Sequence, residues 1–408
     1  MITLKKNSIG FLLGFPFLLL ALTFANAKCE VIFSDDFESG FLSDRWESIS
    51  STEPGDAALE TRSEHVYAGK RSLRLTAAAN DGNSSSAQVT RWFMPGYDQL
   101  YYRWYAKFAE DFDQGNFMHW TMIGGNNVNN KYSAFGQAGN QPNGFDFFTT
   151  MLEPARNWGE YPPPGAIGFT TSYPDMEAAP GGAYWGNRFQ PLVPFVIERG
   201  RWYCFEAMVK LNTPGLLDGE QAFWIDGVKI LHAKNIRWRD SELLKLNFLW
   251  FCVYIHQAIQ DNTCWYDDLV ISTEYVGPLD GELPDSPQNY DLNFDSKIDI
   301  ADVILLMLMK RDDPEDGRAD YNRDGRSTIA DVIQLLLDNF KEKLSLCLNK
   351  FLSTDLHPTI HSGDIPPPDL PNYPQNCTLI FSLLPSGTEL RFLKTLNRSV
   401  PGSPTLRV

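Results

Sequence analysis

Cysteine is scarce in this chain, with six in 408 residues. That is too few for a disulfide framework to hold a fold of this length. Cys252 and Cys264 fall near the ends of two expected neighbouring strands. They read either as a pair bridging a hairpin or as two small buried hydrophobes. Basic charge is short as well: 35 basic residues stand against 51 acidic ones, a net charge of −16. The summed field repels a polyanion, which argues against a nucleic-acid partner but leaves room for a local basic cleft. Beyond the N-terminal segment no run is long and apolar enough to cross a bilayer. Between about residues 30 and 280 a sustained helical period is missing, which leaves an all-β architecture for that region.

What is present starts with an export signal. Lys5 and Lys6 precede the apolar run IGFLLGFPFLLLALTF, and the small residues Ala25–Ala27 then offer a cleavage site, so residues 1–27 read as a signal peptide. Pro16 interrupts the run, which is short for a membrane anchor. Lys28 stands where a lipoprotein signal at Cys29 wants a small residue. The expectation is a secreted, extracellular protein with no membrane attachment after cleavage. Hydrophobic residues make up 43% and aromatics 13% of the chain, enough for a sizeable core rather than a disordered scaffold.

Short segments rich in aromatic and β-branched residues, separated by Gly, Pro, Asn and Asp, predict strands at 101–108, 144–152, 202–212, 221–230, 244–256 and 265–272. Alternation assigns their faces. Tyr102, Trp104, Ala106 and Phe108 share one face, and Tyr101, Arg103, Tyr105 and Lys107 the other. Trp250, Cys252, Tyr254 and His256 share a face opposite Phe251, Val253 and Ile255. Rings mixed with hydrogen-bonding groups suit either a surface that stacks on sugars or an inter-sheet face with a few satisfied polar groups.

The stretch DLNFDSKIDIAD (291–302) recurs as DYNRDGRSTIAD (320–331). Hard oxygen donors alternate along each twelve-mer and an acid closes it at position twelve, which is the pattern of a calcium loop. The expected ligands are Asp291, Asn293, Asp295, the Lys297 carbonyl, Asp299 and Asp302 in the first copy. Those in the second are Asp320, Asn322, Asp324, the Arg326 carbonyl, Thr328 and Asp331. Gly325 supplies the sharp turn at position six, where the first copy carries Ser296. Amphipathic segments follow both copies. The pair resembles the dockerin module over about residues 288–342, with apolar Ile300 and Ile329 at recognition positions where many members carry small polar residues. That resemblance implies two bound Ca2+ ions, a small α-helical module and a cohesin-type scaffold protein as partner.

The segments FSDDFESGFLSDRWE, RWYCFEAMVKLNTPGLLDGEQAFWIDGVKI and WYDDLVISTEYVGPL look like the concanavalin-A-like jelly roll, closest to polysaccharide lyases of family 14 and their uncharacterised relatives. The organisation expected is thus a signal peptide (1–27), a jelly-roll domain (31–279), a linker (280–287), the dockerin-like module (288–342) and a disordered tail (343–408). A lyase acting on a uronate polymer needs a cation, a base and an acid around the uronate carboxylate. Arg103 and Lys107 are candidates for the cation, and Tyr254, His256 and His119 for acid and base. Tyr101, Tyr105, Trp120 and Trp250 are candidates for sugar stacking. Asp36 and Asp268 are candidates for a structural calcium in the sandwich. Two alternatives stay open: a carbohydrate-binding domain without catalysis, and a glycoside hydrolase of the same fold. For the hydrolase the chain lacks an E-x-D-x-E run; Glu153 and Glu160 flank a loop, and Asp267 and Asp268 point to opposite faces of a strand.

Overall fold

The computed structural model describes residues 30–279 and 290–339 except 294 and 296. The expected signal peptide, linker and tail, and Ser296 of the first loop, lie outside the described residues. Two antiparallel eight-stranded sheets face each other as a jelly-roll sandwich. The first runs Val228–Ile236, Gly219–Ile225, Trp202–Lys210, Gln99–Phe108, Asn262–Ser272, Ser72–Ala77, Ala57–Glu60, with Val31–Asp35 also paired to Asn262–Ser272. The second runs Asn187–Phe189, Gly165–Ser172, Phe147–Ala155, Met118–Asn126, Leu246–Ile255, Ser85–Tyr97, Ser48–Ser51, with Val196–Ile197 also paired to Gly165–Ser172.

Alternation places one greasy face of each central strand between the sheets. Trp104, Trp120, Phe205, Phe251 and Tyr266 stack there, with ring centroids between 4.7 and 5.9 Å apart. Each such ring withdrawn from water contributes about 1.5–3 kcal/mol. The strand expected at 221–230 is instead two strands joined by a tight turn: Ile225 pairs with Val228 across Asp226 and Gly227, whose φ values of 50° and 80° suit the Asp-Gly pair. Cys252 and Cys264 are free and buried. Their strands belong to different sheets, and Cys264 faces the core while Cys252 faces outward, so the hairpin bridge is not made.

Two helices, Ile300–Asp312 and residues 329–339, each begin within the last residues of one copy of the repeated twelve-mer. Asp299 caps the first helix in a capping box with Asp302. Their apolar faces meet around Leu306, Met309 and Leu335, and Val193 of the sandwich joins that cluster. The segment between the two copies packs on the sandwich. Buried Arg318 is held by Asp316 at 2.6 Å and donates to the Pro194 and Val193 carbonyls. Glu315 accepts from Lys229 and Lys234 at 2.7 and 3.1 Å.

Candidate active site

The outer face of the second sheet divides into two ends. At one end Trp92, Phe248 and Trp250 lie under Phe135 and Phe147, so the loop between Asn126 and Phe147 seals them from water. The other end stays open. There His119 from Met118–Asn126 meets Tyr254 from Leu246–Ile255, with His256 just beyond it. A register shift between Phe251 and Tyr254 sets Tyr254 opposite His119, so the two rings project from the same side, 5.6 Å apart.

His119 is the hub. Its Nδ1 lies 3.1 Å from Glu153 Oε2 on the neighbouring strand, and its Nε2 lies 3.3 Å from His256 Nε2. Burial pulls the His119 pKa down, but the charge and hydrogen bond of Glu153 outweigh it and hold the imidazole above the usual histidine value. Burial first, then the charge of His119, pushes His256 the other way. Two imidazoles in contact thus differ in proton affinity, one favouring the charged form and one the neutral form. Arg188 reaches beneath this group, donating to the Glu153, Ala166 and Gly168 carbonyls. Environments that separate two titratable groups in this way create an acid and a base side by side.

The expected cations are elsewhere. Arg103 and Lys107 belong to Gln99–Phe108 in the first sheet, so the sandwich core separates them from His119, Tyr254 and His256. Alternation assigned their face correctly but is silent on which sheet a strand joins. Both are also occupied: Arg103 donates to the Asp268 carbonyl at 2.8 Å and faces its carboxylate, and Lys107 donates to the Glu64 carbonyl between Trp202 and Trp265. Tyr105 stacks on Tyr67 at 3.7 Å and its hydroxyl accepts from Leu279 N, while Tyr101 packs against Trp224 and Tyr275. Trp120 lies wholly inside the core and Trp250 is 8% exposed, so neither offers a ring to a sugar. Asp36 accepts from Glu38 N, and Asp268 faces Arg103. Glu153, visible in the sequence only as one of two acids flanking a loop, proves to be the partner of His119. No local pattern links the two, which are 34 residues apart.

The two twelve-mers fold alike. Asp295 N and Asp324 N each donate to the Asp at position one (Asp291, Asp320) and to the Asn at position three (Asn293, Asn322). Lys297 N and Arg326 N donate to Asp295 and Asp324. Asp302 and Asp331 each accept from the start of their own loop and from position nine. Among the described residues no three His, Cys, Asp or Glu side chains converge as a ready metal cage. The donor chemistry still fits calcium, because this loop pattern draws on amide oxygens and main-chain carbonyls besides carboxylates.

No family model matches the chain, and no curated protein matches it. Among solved structures, it is similar to the marine PL-14 alginate lyase from Aplysia kurodai, at 16% identity and a TM-score of 0.46, over 60% of this chain and 100% of that one. It is similar to the endo-β-1,4-glucuronan lyase of Trichoderma reesei, at 15% identity and a TM-score of 0.43, over 60% of this chain and 96% of that one. An alginate lyase from a Chlorella virus matches at 16% identity and a TM-score of 0.43, over 60% and 100%. These structural neighbours are alginate and glucuronan lyases, and at these identities and TM-scores the likeness says nothing of this chain's activity.

Proposed function

We propose that this protein is a polysaccharide lyase that cleaves a uronic-acid-containing polymer by β-elimination at the His119–His256–Tyr254 cluster. The observation that carries the reading is the contact between two imidazoles of opposite proton preference, one anchored by Glu153. Charged His119 presents an N–H to the uronate carboxylate. A carboxylate in that place takes over the N–H now aimed at His256 and frees the lone pair of His256 for the proton α to the carboxylate. The electron pair of that C–H bond forms the new C=C bond, the glycosidic C–O bond breaks, and the Tyr254 hydroxyl gives its proton to the leaving oxygen. A hydrolase needs two carboxylates about 5–9.5 Å apart across the scissile bond. Of the side chains assembled here only Glu153 is a carboxylate, and it is engaged by His119.

The test is the ultraviolet absorbance of the unsaturated product, followed on a panel of uronate polymers. Absorbance should rise on at least one of them, and His256→Ala should cut the rate by about 10²-fold or more. Retention on a polymer with no absorbance on any of them would make this a carbohydrate-binding domain. New reducing ends without absorbance would make it a hydrolase.

We further propose that the two loops bind Ca2+ and that their module docks onto a cohesin-type partner, attaching an exported enzyme to an extracellular assembly. The matched hydrogen bonding of the two copies supports this reading. Calcium should raise the helical signal of the protein; an identical signal with calcium and with chelator would overturn metal binding there.

A further inference from the structure

The loop beyond Glu153 carries a feature that the acid–base chemistry does not use. Asn157, Trp158 and Gly159 all adopt positive φ, at 46°, 59° and 94°. Only glycine does so freely; for a bulky residue the conformation is an outlier that the surrounding structure must hold in place. The hold is visible. Gly159 N and Tyr161 N both donate to the Arg156 carbonyl, and the Arg156 guanidinium binds Asp113 at 2.9 Å and the Gly115 carbonyl. The loop is thereby pinned to the segment that bears Phe117.

What this strained turn presents is an exposed ring. Trp158 is 77% exposed and Phe117 53% exposed. Their centroids lie 5.2 Å apart, edge to face, and Phe117 in turn meets the His256 ring at 6.1 Å. A fixed apolar ring left in water gains nothing for folding, but it is pre-organised to stack on a flat apolar face. The continuous path from His256 through Phe117 to Trp158 indicates what it stacks on.

We propose that Phe117 and Trp158 form a ring-stacking subsite for a pyranose unit of the polymer, adjoining the unit held at His256. The proposal rests on the lyase reading for the identity of the chain it grips. Trp158 positions the polymer and takes no part in proton transfer.

The experiment compares wild type with Trp158→Ala, Trp158→Phe and Trp158→Gly. It reads KM and kcat on the polymer that gives the absorbance signal, migration in gels containing that polymer or another uronate polymer, and thermal midpoint. Trp158→Ala is expected to raise KM about tenfold with kcat nearly unchanged and to lose retardation in the gel, while Trp158→Phe recovers part of both. Trp158→Gly should bind as poorly as the alanine variant yet melt no lower than wild type, because glycine relieves the strain. Loss of retardation in a protein that shows no turnover would keep the subsite and remove the lyase reading. Turnover with KM and retardation unchanged by Trp158→Ala would overturn the subsite and leave the lyase reading standing. A change confined to self-association in sedimentation would equally overturn it.

Discussion

Glu153 is the residue on which the candidate centre turns. Its contact with His119 is all that keeps that imidazole above the usual histidine value, since burial alone acts in the opposite direction. His119 must be charged and His256 neutral for the proposed step, so activity rises as pH climbs through the lowered value of His256 and falls as it passes the raised value of His119. The two rings touch, so both limbs report the pair rather than one residue. Glu153→Gln removes the charge that favours ionised His119. The alkaline limb should then move to lower pH and the plateau should narrow, as seen in the pH dependence of kcat/KM. An unmoved alkaline limb would show that another group sets it. The same contact has a stability side: a histidine whose folded pKa is raised stabilises the fold below its unfolded value, and that contribution is lost as pH rises through the folded value. How legible were these residues? Tyr254 and His256 stood out as polar members of an aromatic strand, and His119 as a further candidate outside the expected strands. Glu153 and Trp158 did not, because their meaning comes from strain and from contacts across strands.

The strand Met118–Asn126 shows how tightly an element must be packed to hold such a site. It starts with His119 on the open end of the sheet and finishes with Gly124 and Gly125 near its far end. A Cβ on Gly124 would stand 2.5 Å from the Phe148 carbonyl oxygen and 2.8 Å from the Phe248 ring. Neither backbone nor a buried ring can yield cheaply. Gly124→Ala should therefore destabilise the sandwich by about 1–3 kcal/mol, read from denaturant unfolding, while the His119 end keeps its geometry. An unchanged midpoint would mean that the sheet relaxes there. Six strand segments, and the faces of two of them, were readable in advance, since alternation is a local property of the chain, although 221–230 is broken by a turn. Sheet membership was not, and that is why Arg103 and Lys107 stand across the core from the histidines rather than beside them.

Across the whole molecule, the helical module is joined to the sandwich by more than the chain. Arg318 and Asp316 form a buried pair, 3% and 0% exposed, aimed at the 193–194 carbonyls. Removing one partner leaves an uncompensated charge, so Arg318→Ala should cost about 3–5 kcal/mol of the module's stability. Glu315 adds a surface cluster in which hydrogen bonds from Lys229 and Lys234 lower its pKa to about 2. That contribution is present above the ordinary carboxylate range and is lost as pH falls toward about 2, and its exposure to solvent keeps it small. Chelator should melt the module first, and in the Arg318→Ala variant it should do so at lower denaturant than in wild type. Simultaneous melting of module and sandwich in wild type would show that the two unfold as one unit.

Whatever is local in the chain could be read from the order of its residues. The twofold loop pattern is spelled out in consecutive residues, the Asp-Gly turn needs only its own dihedrals, and each strand's greasy face follows from a period of two. Which distant strands became neighbours emerged only in the packed fold. It brought Glu153 to His119 and Phe117 to Trp158, and it buried Trp120 and covered Trp250. The physical reason is that sheet order is settled by packing the entire core, whereas alternation constrains each strand alone.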